Sequence, residues 1–395
     1  MLEEILKELK ERIIPFWMGL KDCEFGGYYG WMDYDLTLDP KAPKGCILNS
    51  RILWFFSRAY LELGDPKLLE SAKHAYLFLK DHCVDKVYEG VFWSLSYDGK
   101  PLDTTKHTYN QAFAIYALAA YYQASNDASA LELAKDLFWV IEKKCRDKNG
   151  YLEAFQQDFK PESNEKLSEN GVIADRTMNT ALHVLEAYTL LYQVTNDESV
   201  EQKLIELLLV FKDKIYDAGK KRLEVFFDQN YCSLLDLHSY GHDVEASWLL
   251  DLAIDTIGET VFAKGIRDEL KAMTLTLANR TYELAFDGDS FANECENGVV
   301  KENRIWWVQA EAMVGFVNAY QKTSDEKFIQ ATEHLWKYIK EYIIDHRNGS
   351  EWYWEVYPDG TPIRRAIVEP WKCPYHNGRM CFELIRRMEQ LERGK

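Results

Sequence analysis

Gly26-Gly-Tyr-Tyr-Gly-Trp31 is the first of several short aromatic stretches whose spacing decides the fold. It is followed by Gly90-Val-Phe-Trp93, Gly150-Tyr-Leu-Glu-Ala-Phe155, Arg222-Leu-Glu-Val-Phe-Phe227, Gly288-Asp-Ser-Phe291 and Gly349-Ser-Glu-Trp-Tyr-Trp354. Anchored on Gly27, Gly90, Gly150, Arg222, Gly288 and Gly349, the steps are 63, 60, 72, 66 and 61 residues. Each stretch is aromatic and bounded by turn residues, which suits a strand or hairpin. Self-similarity at a steady period along a whole chain is the mark of a repeat architecture.

Between these anchors lie paired segments with helical periodicity. The first places Leu2, Ile5, Leu6, Leu9, Ile13 and Trp17 on one stripe, with Glu and Lys elsewhere, so it has one wet face. Segments near 66–82, 127–144, 199–216, 260–282 and 325–344 share that one-sided character. The alternate segments, around 46–60, 107–124, 177–191, 240–257 and 306–320, carry few charges and are apolar on more than one face. A helix apolar most of the way round is buried on both sides. Six wet helices alternating with six dry ones predict an all-α fold. We expect an (α/α)6 barrel of six inner and six outer helices, with short β-hairpins at one end, as a single catalytic domain over 1–395. A helical solenoid is the alternative that the same alternation allows, but six turns of nearly equal length favour closure.

Composition narrows the partners. The 395 residues are 47% hydrophobic and 14% aromatic, enough for one large core or two ordinary ones. A net charge of −17 makes nucleic acid and anionic membrane poor partners. The uncharged run 108–126 contains Asn110, Gln111, Gln123 and Ser125 and reads as a buried helix, not a membrane span. The start, Met1-Leu-Glu-Glu, lacks a basic n-region, so no secretory signal is expected. Eight scattered cysteines without a Cys-x-x-Cys pair suit reduced thiols in a cytoplasmic protein. Nothing in the sequence calls for an obligate protein partner.

The dry helices each break their apolar pattern near the N-terminal end. The breaks are Asn49-Ser50-Arg51, then His107 with Tyr109-Asn110-Gln111, then Asn179 with His183. They continue with His238, His242 and Glu245, with Trp306-Trp307, Gln309 and Glu311, and with His376-Asn377 and Arg379. From Arg51 through His107, Asn179, His242 and Trp306 to His376 the steps are 56, 72, 63, 64 and 70, so the breaks are in phase with the repeat. In a closed barrel they would meet at one end of the axis. Repeated burial of polar groups at one level is costly and argues for a ligand.

His183, His242 and His376 are the groups best suited to moving protons near neutral pH, and placement at helix N-termini favours their neutral form. Arg51 offers a fixed positive charge for a developing oxyanion. Trp306, Trp307, Trp371 and Phe113 offer flat faces for sugar C–H surfaces. Glu245, three residues after His242, shares its helix face and could orient the ring or hold a hydroxyl; Asn179 and His183, four apart, also share a face. Tyr109, Asn110 and Glu311 complete the expected substrate contacts. Each has a plainer alternative: a satisfied core histidine for His107, a helix-end tie for Arg51, an arginine partner for Glu311, plain core for one of Trp306 and Trp307.

His238 and His242 have the i, i+4 spacing of zinc-binding helices, but no glutamate follows the first histidine and Gly241 suits a helix start better than its middle. There is no dinucleotide or phosphate loop and no nucleophile elbow. No metal and no cofactor are therefore expected, and proton chemistry is.

These residues also form familiar motifs. Lys44-Gly-Cys-Ile-Leu-Asn-Ser-Arg-Ile-Leu-Trp54, Thr105-Lys-His-Thr-Tyr-Asn-Gln-Ala-Phe113, and Leu167-Ser-Glu-Asn-Gly171 with Met178-Asn-Thr-Ala-Leu-His183 resemble the cellobiose 2-epimerases of the N-acylglucosamine 2-epimerase superfamily. So do His238-Ser-Tyr-Gly-His-Asp-Val-Glu-Ala-Ser-Trp248, Arg304-Ile-Trp-Trp-Val-Gln-Ala-Glu-Ala312 and Trp371-Lys-Cys-Pro-Tyr-His-Asn-Gly-Arg-Met-Cys381. The resemblance spans almost the whole chain and implies an (α/α)6 barrel. It also implies reversible inversion at C2 of the reducing-end sugar of β-1,4-linked disaccharides, cellobiose to glucosyl-mannose and lactose to epilactose. By motif, it gives His242 and His376 as the two acid/base residues, His183 as the ring-opening and proton-relay residue, and Arg51 as the group on the O1/O2 side. Competing expectations are an N-acylglucosamine 2-epimerase or an aldose–ketose isomerase on monosaccharides, a glycoside hydrolase using Glu245 and Glu311, and a noncatalytic sugar- or protein-binding barrel.

Overall fold

The computed structural model describes residues 1–167, 170–258 and 265–393, so Ser168 and Glu169 of the Leu167–Gly171 motif and 260–264 of the fifth charged segment lie outside the described residues. In chain order the helices are α1 (residues 2–19, with a π-helical turn at Leu9–Ile13), α2 (Cys46–Leu63) and α3 (Pro66–Phe78, closing on a π-helical turn at Leu79–Cys83). Next come α4 (Thr108–Ser125), α5 (Ala128–Lys144), α6 (Met178–Thr195), α7 (Glu198–Val210, with a π-helical turn at Phe211–Ile215) and α8 (Tyr240–Ile257). The last are α9 (Ile266–Ala285), α10 (Trp306–Thr323), α11 (Glu326–Tyr338, with a π-helical turn at Ile339–Ile343) and α12 (Tyr375–Arg393).

The turn from each dry helix to the next wet one is written locally. The dry helices α2, α4, α6 and α10 end on Gly64, Asn126, Asn196 and Ser324 in the left-handed conformation. In each case an aspartate follows. Asp65, Asp127, Asp197 and Asp325 each accept a hydrogen bond from a backbone N–H in the first turn of the next helix, so the chain reverses within two residues. The even-numbered helices pack in order, α2 on α4, α4 on α6, and so on to α10 on α12, and α12 packs back on α2. That last contact closes the inner ring, and the odd-numbered helices surround it. The protein is an (α/α)6 barrel.

The short strands do more than form local hairpins. The segment leading into each inner helix pairs antiparallel with the end of the next repeat's aromatic stretch or with the residues just after it. Lys44–Gly45 pairs with Ser94–Leu95, Lys106–His107 with Ala154–Phe155, and Arg176–Thr177 with Phe226–Phe227. Leu237–Ser239 pairs with Glu294–Glu296 and Arg304–Ile305 with Glu355–Val356, while a bridge from Val368 to Met32 joins the last repeat to the first.

A buried base precedes the inner helices and locks these strands. Lys44 reaches Asp22 at 2.5 Å, Lys106 reaches Asp85 at 2.9 Å, Arg176 reaches Asp147 at 2.6 Å, and Arg304 reaches Asp287 at 2.7 Å. Lys372 reaches Glu351 at 2.5 Å. In the fourth repeat His238 holds the place and its Nε2 lies 2.8 Å from Asp243. His238 is thus on a strand, not on the helix with His242, which removes the i, i+4 ligand geometry considered above. Near their starts the inner helices also clamp the aromatic strands. Asn49 accepts from Tyr28 N at 3.0 Å, Gln111 from Val91 N at 2.6 Å, Asp243 from Leu223 N at 3.2 Å and Gln309 from Phe291 N at 2.9 Å.

Candidate active site

The strand-bearing end of the ring gathers the inner-helix N-termini, and every expected polar cluster falls within their first three turns or, for His107 and His238, on the strand just before. Successive helical residues point about 100° apart, so a cluster of adjacent residues splits. One set faces outward and clamps strands, as Gln111 and Gln309 do. The other faces the axis.

The inward set is continuous. Arg51 on α2 is buried, with its guanidinium carbon 4.2 Å from the Phe113 ring centroid. Its Nη2 donates to the Tyr109 hydroxyl at 2.8 Å and its Nη1 to the Trp371 carbonyl at 3.4 Å. Tyr109 and Phe113, on α4, stand 5.1 Å and 4.8 Å from the His183 imidazole of α6. Tyr375 at the start of α12 bridges onward, 6.2 Å from His183 and 4.6 Å from His376. Trp307 of α10 then lies 5.3 Å from His376 and 4.8 Å from His242 of α8. Trp371 and Trp93, 5.9 Å apart, stand on the loops at the same end, and Trp371 is 5.9 Å from Tyr109. Gly241 makes room for this arrangement, because a Cβ there would meet the Trp307 indole at 2.6 Å.

Each histidine has a fixed Nδ1. That of His183 lies 2.9 Å from Glu186, that of His376 lies 2.8 Å from Glu311, and that of His242 lies 2.7 Å from the Ser239 hydroxyl. The His376 and His242 imidazoles are biased toward the neutral form. Burial pushes His376 well below the ordinary histidine value, and the Arg379 and Arg51 cations push it the same way. Burial also lowers His242, against the pull of Glu245 and with the help of His183. Burial rather than the helix dipole leads in both. His107, the plainer case, is brought to about 3 by burial, and its ring lies tilted 4.7 Å from that of Trp93.

Several expected contacts lie elsewhere. Trp306 is core: its ring packs 4.6 Å from Trp354, with the Lys372 ammonium 5.4 Å from its centroid. Its neighbour Trp307 takes the axial direction, since two adjacent helical residues cannot share one face. Glu245 and Glu311 are fully buried and both receive Nη2 of Arg379. Glu311 also accepts from Trp248 Nε1 at 3.1 Å. Glu245, Glu311 and His376 bring three donor atoms within 4.8 Å, a set that would suit a divalent cation. The Arg379 guanidinium stands among them and supplies the positive charge. Asn110 donates to the Phe92 carbonyl at 3.4 Å while its Oδ1 is buried without a partner among the described residues, as is Oδ1 of Asn179.

Sequence reasoning passed over Glu186, Tyr375 and Trp248, and noted Arg379 without a role. The signal was present: Glu186 follows His183 by three residues, as Glu245 follows His242 and Arg379 follows His376.

The sequence signature of N-acylglucosamine 2-epimerase (GlcNAc 2-epimerase) matches residues 27–378. The chain belongs to this family. It is similar to a cellobiose 2-epimerase of Eubacterium cellulosolvens, 49% identical over 97% of this chain and 98% of that protein. It is 50% identical to a cellobiose 2-epimerase of Ruminococcus albus, over 98% of this chain and 99% of that protein. Among solved structures, the cellobiose 2-epimerase from Bacillus thermoamylovorans B4167 superposes with a TM-score of 0.94 at 47% identity, covering 98% of this chain and 99% of that one.

Proposed function

We propose that the protein is a cellobiose 2-epimerase, a carbohydrate isomerase that reversibly inverts C2 of the reducing-end glucose of β-1,4-linked disaccharides. The observation that carries this is the single aromatic-walled run from Arg51 through His183 and His376 to His242, which sets three imidazoles beside a buried cation. Full-length relatives at about half identity name the same reaction.

Only an open-chain aldehyde makes the C2 proton acidic, so the hemiacetal ring opens first; we assign that step to His183. One of His242 and His376 then removes the C2 proton as a neutral base, leaving a cis-enediolate whose negative charge Arg51 faces. The other returns a proton from the opposite side, which inverts the centre; a single base returning its own proton would not. Trp307 and Trp371 are assigned as platforms for the two sugar rings, with Tyr109, Asn110, Phe113 and Asn179 completing the contacts. Positioning of this kind supplies many orders of magnitude in rate.

Hydrolysis on the same barrel needs two carboxylates astride the scissile bond. Glu245 and Glu311 instead sit together on one guanidinium, on one side of the run. Lactose is proposed as a second substrate, giving epilactose, because the reaction is confined to the reducing-end ring. No helix among the described residues is long and apolar enough to cross a membrane. A cytoplasmic setting is proposed from the eight free cysteines, three of them wholly or partly exposed. The test is incubation with cellobiose and, in parallel, lactose, followed by carbohydrate chromatography. Glucosyl-mannose and epilactose are expected. Turnover of only N-acetylglucosamine or mannose would keep the chemistry and overturn the substrate.

A further inference from the structure

The serine that opens α8 does not cap it. Ser239 is the N-cap residue of that helix, a place where a serine hydroxyl ordinarily accepts a backbone N–H of the first turn, yet its side chain makes no such bond. Thr177, the N-cap residue of α6, does cap, accepting from Thr180 N at 3.0 Å. At α8 the Asn293 carbonyl takes over, accepting from Tyr240 N at 3.1 Å and from Gly241 N at 3.3 Å. The buried Ser239 hydroxyl instead meets Nδ1 of His242 at 2.7 Å. A good capping residue has given up its cap, and its hydroxyl is spent on an imidazole of the site.

The supports of the three imidazoles therefore differ in kind. His183 and His376 rest on carboxylates, those of Glu186 and Glu311. Around His242 the carboxylates are engaged elsewhere. Asp243 is bonded to His238 and accepts from Leu223 N, and Glu245 accepts from Arg379. Glu294, opposite Ser239 in the strand pair, accepts from Lys301 at 2.7 Å and from Asn170 at 3.3 Å. An ionised carboxylate only accepts, so it keeps a proton on the ring nitrogen that faces it; a hydroxyl accepts or donates by turning about its C–O bond. Ser239 can thus stay bonded to Nδ1 in each proton state of His242, and Trp307, 4.8 Å away, packs against the same ring.

We propose that Ser239 is the positioning residue of His242: released from capping, its hydroxyl fixes the imidazole at Nδ1 in every proton state and leaves Nε2 to exchange protons with C2 of the sugar. The kinetic part rests on the epimerase reading; the hydrogen bond is a property of the free protein.

The test is Ser239→Ala in the full-length protein, with Ser239→Thr to restore the hydroxyl. In Ser239→Ala kcat on cellobiose is expected to fall on the order of 10-fold, the worth of one hydrogen bond, with KM within about 3-fold, and Ser239→Thr to stay within about 3-fold of the parent. The loss should pass through His242: added to His242→Ala, Ser239→Ala should cost less than about 2-fold further in C2 proton exchange. In free protein labelled with nitrogen-15 histidine, the ring nitrogens of His242 should shift in Ser239→Ala while those of His183 and His376 stay, with His242→Ala supplying the assignment. If Ser239→Ala does not fold, Ser239→Cys, whose thiol is a weak donor and acceptor, takes its place. An unchanged kcat overturns the proposal, as do unmoved His242 nitrogens or a further loss of the same size on top of His242→Ala, which would mark Ser239 as structural. A wild type that leaves cellobiose untouched sinks the epimerase reading, and the nitrogen spectrum then decides the contact between Ser239 and His242 by itself.

Discussion

Replacing Lys44 by methionine tests the strand lock at the entry to α2. The Lys44 ammonium lies 2.5 Å from Asp22 Oδ2 and 2.7 Å from the Gly26 carbonyl, with both side chains fully buried. Methionine keeps most of the volume and removes the charge. Asp22 is then left buried with only the amides of Glu24 and Phe25 on its other oxygen. Removing one partner of a buried pair costs about 3–5 kcal/mol, much of it the unpaired charge left behind. With an unfolding entropy of roughly 2.1 cal/mol/K per residue over 395 residues, this corresponds to a Tm drop of roughly 4–6 °C. Burial alone would raise the Asp22 carboxyl, but Lys44 and the two amides more than reverse it, while burial lowers Lys44 itself. The two shifts oppose each other, so the pair's net worth is smaller than the cost of breaking it. For Asp22 the depressed folded value means its contribution is present above the unfolded carboxylate range and is lost as pH falls through the folded value. The deficit of Lys44→Met should therefore be full at pH 7 and shrink in acid. Calorimetric melts at pH 7 and pH 3.5 provide the check, with Lys44→Met/Asp22→Asn expected to melt above Lys44→Met. A Tm for Lys44→Met within about 1 °C of the parent, or a double variant no more stable, would refute the lock.

Three further outcomes are expected. Because burial lowers both His242 and His376, the acid limb of kcat/KM should have its midpoint below about 6.5, the ordinary histidine value; a midpoint above it contradicts neutral bases. His242→Ala and His376→Ala should each lose at least about 100-fold in C2 proton exchange while circular-dichroism melts stay near the parent; retained exchange in either removes that histidine from the mechanism. Trp306→Ala should destabilise by about 3–5 kcal/mol through its core packing, whereas Trp307→Ala should chiefly raise KM; the reverse pattern in melts and kinetics would exchange their roles.

The alternation of wet and dry helices was legible because each helix has one partner environment along its whole length, and periodicity reports that directly. The strand pairing was not. Lys44 meets Leu95 in the next repeat, and no local pattern announces a partner fifty residues away. The base before each inner helix was readable in retrospect, since Lys44, Lys106, Arg176, His238, Arg304 and Lys372 recur near the same offset from the helix start. It escaped notice because a lysine beside a turn normally reads as solvated. Polar clusters at the helix starts were found as clusters, yet which member faces the axis depends on a rotation of about 100° per residue and on the exact first residue of the helix. Hence Trp306 and Trp307 could not be separated, and Glu311 stayed open between a substrate contact and an arginine partner and Glu245 between orienting a ring and holding a hydroxyl, while the buried Arg379 that occupies both went without a role. The histidines were easier, because few other residues combine burial with titration near neutrality.

The most direct measurement is proton NMR of the purified protein with cellobiose in D2O, without added metal or nucleotide. The expected product is a mannose-configured reducing end carrying deuterium at C2, together with deuterium at C2 of the remaining glucose-configured disaccharide. Release of free glucose, or a mannose-configured product that retains its original C2 proton, would contradict epimerisation by proton exchange between two bases.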